Sequence, residues 1–152
     1  MGNYFEVKAK VQRIDERTGK EKRVSEQYLI DALSFTEAES KTTTYLNERA
    51  GDFSIVSIKK SNAEELLKGE EEKYYLAKIE FKEVDEKGKV KTSKTNILLT
   101  ADSPDQALSK VKDHTSDWMT DNELIALQET SILDFVVYSF YPHKIFNKLS
   151  KF

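Results

Sequence analysis

Tyr4 and Lys8 stand four residues apart, and Tyr74 and Lys78 repeat the pair seventy residues later. If both segments are strands, each tyrosine shares a face with its lysine, because alternate side chains point the same way. A ring that stacks on a base, beside an ammonium that reaches a phosphate, is how a sheet can hold single-stranded nucleic acid. Single-stranded DNA or RNA is therefore the partner these four residues suggest. The competing role is structural, with the tyrosines packed across an interface and the lysines solvated. Overall charge favours that second role: 24 basic residues against 27 acidic give a net charge of -3, without the basic footprint that phosphate binding usually leaves.

Other chemistry finds little support. His114 borders the apolar side of a helical segment, three residues after Val111 and four before Trp118, and reads as a half-buried structural histidine. No motif supplies it with a nucleophile. His143 follows Pro142 near the C-terminus, and two isolated histidines without cysteine make a poor zinc site. Asp15-Glu16 and Asp85-Glu86 fall in charged hairpin turns, where turn chemistry explains them better than a shared cation does. The five glycines are scattered, so no phosphate-cradling loop is present, and no serine-hydrolase elbow occurs. The expectation is a non-catalytic protein with no metal and no cofactor.

The elements that must position these residues come in duplicate. Phe5, Val7, Ala9 and Val11 alternate with polar residues, as Tyr75, Ala77, Ile79 and Phe81 do, predicting two half-buried strands. Gly19 and Gly88 suit positive-φ positions in the hairpin turns that follow. Tyr28-Leu29-Ile30 and Ile97-Leu98-Leu99 are apolar without alternation, which predicts second strands covered on both faces. One face would meet the repeat's own helix and the other the partner repeat. Ser34 with Glu37, and Ser103 with Gln106 and Pro104, form capping boxes that open two helices. Third strands follow at Phe53–Lys60 and Leu124–Glu129. Asn62–Leu67 reads as a small helix, and its counterpart Ile132–Val137 is more apolar.

The pattern predicts an α+β body of two tandem ββαβ repeats, residues 1–69 and 70–141, packed with internal pseudo-twofold symmetry. Residues 142–152 form a short amphipathic tail in which Ile145, Phe146, Leu149 and Phe152 share one helical face. That face either folds back onto the protein's own body or docks in a groove on another protein. Its few basic residues argue against membrane attachment. No apolar run approaches membrane-spanning length, no signal segment opens the chain, and there is no cysteine, so a cytoplasmic location is expected.

The run Tyr28-Leu29-Ile30-Asp31-Ala32-Leu33-Ser34-Phe35-Thr36-Glu37-Ala38-Glu39 carries a further signal. Preceded by Asn3–Gln12 and followed by Phe53–Lys60, it resembles a domain-of-unknown-function family of small proteins from Bacteroidota, their phages and mobile elements. The resemblance spans residues 3–137, and the tail from Tyr138 departs from it. It transfers no catalytic or ligand residue. It implies a genomic setting in which nucleic-acid handling, virion structure or binding to a phage or host protein is commoner than metabolism, an association and not a mechanism.

Overall fold

The computed structural model describes residues 3–137 as a mixed α+β protein with two helices and two four-stranded sheets. Its chain falls into two compact units: Asn3–Lys60 with the segment from Asp134, called the N-terminal unit, and Ser61–Leu133, called the central unit.

In the N-terminal unit, β1 (Tyr4–Ile14) and β2 (Glu21–Asp31) form an antiparallel hairpin, followed by α1 (Phe35–Arg49) and β3 (Phe53–Lys60). The alternation along β1 has the expected consequence: Phe5, Val7, Ala9 and Val11 are buried with Tyr28, Ile30, Ala38 and Leu46 in one core. In the central unit, the short β4 (Glu65–Leu67) precedes the hairpin β5 (Lys73–Val84) and β6 (Val90–Ala101), then α2 (Pro104–Thr115) and β7 (Asn122–Glu129). Tyr75, Ala77, Ile79, Ile97, Leu99, Ala107 and Val111 form its core. The continuous apolar runs Tyr28-Leu29-Ile30 and Ile97-Leu98-Leu99 are buried at every position, as unalternating strands require.

Local signals behave as their chemistry dictates. Gly19 and Gly88 adopt φ of +70° and +79° in the two hairpin turns, and no other described residue has positive φ. Ser34 Oγ accepts the Glu37 N–H and Ser103 Oγ the Gln106 N–H, both at 3.1 Å. Glu37 and Gln106 each accept in return from the residue just before the cap, Leu33 and Asp102. Each cap contributes about 1 kcal/mol.

The segment Asn62–Leu67 is not the small helix its composition suggests. Glu65–Leu67 instead pairs parallel with Ile97–Leu99. Six residues are too few to sustain an isolated helix, whereas the edge of β6 offers backbone partners that strand pairing satisfies. The last strand, β8 (Ile132–Val136), lies beside β2. The sheet orders are therefore β3-β1-β2-β8 and β4-β6-β5-β7. Each sheet receives its fourth strand from the segment that follows the other sheet's third strand. The compact units consequently divide at Lys60 and Ser61, not at the repeat boundary near Gly69.

Candidate nucleic-acid interface

The face of β1 opposite the core carries Tyr4, Glu6, Lys8, Lys10 and Gln12, and it changes character along its length. Tyr4 and Glu6 are half-buried, and Leu29, across from Glu6, is fully buried. Lys8 and Lys10 are exposed, as are Ser25 on β2 and Ser54 and Ser57 on β3, their cross-strand neighbours. Arg23, opposite Gln12, extends the same open surface. Lys59 completes it from β3, 3.9 Å from Glu6 Oε1, and Gln27 donates to the same oxygen at 2.8 Å. Four cations, Lys8, Lys10, Arg23 and Lys59, share this face with three carboxylates, Glu6, Glu21 and Asp31, a balance of +1, and the cations gather around its open middle beside serine and glutamine side chains.

Sheet alternation does place each expected tyrosine on the same face as its lysine, but at opposite ends of the burial gradient. Four residues of strand span about 13 Å, far enough for one end to be covered while the other is open. Tyr4 is half-buried, with its ring edge-on to Phe135 at 5.9 Å. Tyr74 is 3% exposed, and its carbonyl accepts both the backbone N–H and the hydroxyl of Thr130. Lys8 and Lys78 are both exposed. The lysines are therefore presented to solvent, whereas Tyr74 is buried and Tyr4 only half-covered.

In the central unit the corresponding face carries the same net charge from different residues. Lys78, Lys82 and Lys94 share it with Glu80 and Glu123, a balance of +1. Sequence reasoning missed Lys10, Arg23 and Lys59. Lys10 could have been found by continuing the alternation past Lys8, and Arg23 by counting the register outward from the turn.

Other candidate groups are engaged in structure. His114 Nε2 lies 2.9 Å from Glu65 Oε2, tying α2 to β4, with its ring edge-on to Trp118. Asp15 Oδ1 accepts the Arg17 N–H, and Asp85 Oδ1 those of Lys87 and Lys89, so both carboxylates are committed to their turns. No group of three or more metal-ligating residues occurs among the described residues. Ile145, Phe146, Leu149 and Phe152 lie outside the described residues, as does His143.

On the helix side of the N-terminal sheet, a polar network interrupts the core. Arg13 Nη2 donates to Glu26 Oε1 at 2.8 Å, and the Tyr28 hydroxyl donates to the same oxygen. Burial pushes the Glu26 carboxyl up, but the hydrogen bonds from Arg13 and Tyr28 outweigh it and hold the carboxyl below its usual range. Burial and the Glu26 charge raise the Tyr28 hydroxyl well above its ordinary value. The Tyr45 hydroxyl donates to Asp134 Oδ2 at 3.1 Å. Burial and that carboxylate push its pKa up to about 12.

A family profile described as a domain of unknown function, DUF4494, matches residues 3–138, and the chain belongs to that family. No curated protein and no solved structure matches the chain. Among the described residues, no helix is long and apolar enough to cross a membrane.

Proposed function

We propose that this protein is a non-catalytic accessory binding protein that holds single-stranded nucleic acid against the open polar face of its N-terminal sheet. The observation that carries this reading is the joint exposure of Lys8, Lys10 and Arg23 on one face, beside serines that can donate to phosphate oxygens. Net protein charge is negative, so attraction is local and short-ranged. No aromatic side chain belongs to the open part of that face, so phosphate contacts carry the affinity and base preference is weak. Lys78 occupies the matching strand position in the central unit and is a secondary contact.

The two β–β–α–β successions are read as a tandem duplication with pseudo-twofold symmetry, supported by the recurrence of strands, turn glycines and caps. A phage or mobile-element setting, implied by the sequence resemblance, accords with an accessory role in the cytoplasm. A second reading, a protein-interaction or virion-structural component, draws on the exposed Val56 and Ile125 on two edge strands.

Fluorescence-anisotropy titration with single-stranded DNA and RNA at several salt concentrations tests the first reading. Three neutralised phosphates give a slope of about -2 in log K against log salt. Replacing Lys8, Lys10 and Arg23 with Ala removes most of that slope. Binding that keeps its slope in the triple variant would assign the contact elsewhere.

A further inference from the structure

Among the described residues, β3 and β7 have a neighbouring strand on one side only. They are the long open edges, eight residues each against three for β4 and five for β8. Their irregularities match. Between Ile55, opposite Ala9, and Ser57, opposite Lys8, Val56 is an extra bulged residue. Ile125 is the extra residue between Leu124, opposite Ile79, and Ala126, opposite Lys78. Both bulges leave an apolar side chain in solvent, with Val56 57% exposed and Ile125 40% exposed. Phe53, Ile55 and Ile58 on one edge, and Leu124 and Leu127 on the other, are only partly covered.

The charges of the two edges are opposite. Every charged residue of β3 is basic, Lys59 and Lys60, and every one of β7 is acidic, Glu123 and Glu129; all four are exposed. Lys59 has Glu6 nearby at 3.9 Å, yet its side chain keeps 66% of its exposure. Like charges on an edge disfavour pairing of that edge with its own copy. Here net charge disfavours β3 against β3 and β7 against β7, and it favours β3 against β7. A bulge bends and twists an edge and so discourages indiscriminate pairing, and here both edges carry their bulge at the corresponding position.

We propose that the β3 edge of one copy of this chain docks on the β7 edge of a second copy. Lys59 and Lys60, at the C-terminal end of β3, then meet the Glu123 end of β7 in an antiparallel contact or its Glu129 end in a parallel one, and Val56 and Ile125 are drawn out of water. The contact is heterologous, so every copy retains a free β3 or β7 edge until a ring closes or a linear assembly grows. It uses none of Lys8, Lys10 and Arg23 but shares Lys59 with the open face of the N-terminal sheet, so the Glu123 and Glu129 reversal, which touches no residue of that sheet, is the variant that separates it from nucleic-acid binding.

Sedimentation velocity across a concentration series, at low and high salt, tests it with the full chain. The expected result is a weight-average mass that rises with concentration at low salt and falls as salt screens the ion pairs. Lys59→Glu with Lys60→Glu, and separately Glu123→Lys with Glu129→Lys, each weaken self-association about tenfold or more. An equimolar mixture of the two variants restores it, because each acidic edge then meets a basic one. Circular dichroism establishes that both variants are folded, and the milder Gln substitutions at the same positions replace any that are not. A wild-type chain that stays monomeric, an assembly indifferent to these reversals, or a mixture that fails to associate would each overturn the proposal.

Discussion

Lys110 Nζ donates to the main-chain carbonyl of Thr100 at 2.9 Å, closing the C-terminal end of β6 onto α2. Lys41 makes the same bond from α1 to the carbonyl of Asp31, at 2.6 Å, and in both cases the lysine lies ten residues beyond the carbonyl. The anions that complete the two sites differ. Lys41 takes Glu37 from its own helix at 2.9 Å, whereas Lys110 takes Glu71 from the segment leading into β5 at 2.7 Å. A lysine stem laid along the helix–strand seam thus ends on a strand carbonyl in both units.

Lys41→Met should separate the amine's role from that of its stem, since Met keeps the apolar length. The Lys41 side chain is 9% exposed, so losing its charged hydrogen bond leaves the Asp31 carbonyl without that donor. We expect a loss of about 2 kcal/mol in urea denaturation. Lys110→Met should cost less, because its side chain is 33% exposed and water can replace the amine.

Acid should erode these arrangements in a defined window. The hydrogen bond from Lys110, helped by a backbone N–H and Thr100, holds the Glu71 carboxyl at about 2. The Lys41 contact likewise lowers Glu37, and Arg13 and Tyr28 lower Glu26 against its burial. A depressed carboxylate contributes stability above its unfolded value, and that contribution fades as pH falls through the folded value. Denaturation midpoints should therefore hold above roughly pH 4.5 and decline toward pH 2. Glu71→Gln and Glu26→Gln should each flatten that decline; a variant with an unchanged acid limb would show that its carboxylate is not a contributor.

At the alkaline end the sign reverses. Tyr45, pushed up to about 12 by burial and Asp134, retains its proton in the folded state beyond its unfolded value. The corresponding stability is complete below roughly pH 10 and is lost as pH rises through the folded value. Spectroscopic titration should find Tyr28 and Tyr45 among the last tyrosines to ionise. In Asp134→Asn the Tyr45 step should move down, because the neutral amide no longer opposes the phenolate.

Much of this architecture was legible in the residues, and the failures have physical causes. Ser34 and Ser103 announce helices because a cap is a local device, and Gly19 and Gly88 announce turns because only local backbone geometry is at stake. Asn62–Leu67 misleads because its outcome depends on a free edge far away in sequence, at Ile97–Leu99. The exposure of the Tyr4/Lys8 and Tyr74/Lys78 pairs escapes sequence reading for another reason. Alternation fixes which face a side chain takes but not how far along the strand that face stays open. The charged face around Lys10, Arg23 and Lys59 needs the register of three strands, of which sequence supplies only the hairpin.

The reciprocal placement of β4 and β8 leads to the strongest prediction about folding. A chain ending at residue 69 retains β1, β2, α1 and β3 but lacks β8, so Tyr45 loses Asp134 and the core around Leu46 loses Val136. The complementary chain, residues 70–152, retains β5, β6, α2 and β7 but lacks β4, leaving His114 without Glu65 and the core around Leu99 without Leu67. Each half would also carry a strand whose sheet is absent. Small units near seventy residues have little stability to spare, and an exposed strand edge with an uncovered core exceeds it. Neither half should therefore give a dispersed amide NMR spectrum alone. Mixed in equal amounts, the halves should recover the spectrum of the intact chain, because every strand regains its partner. A native-like spectrum from one half alone would show that the donated strand is dispensable to that sheet.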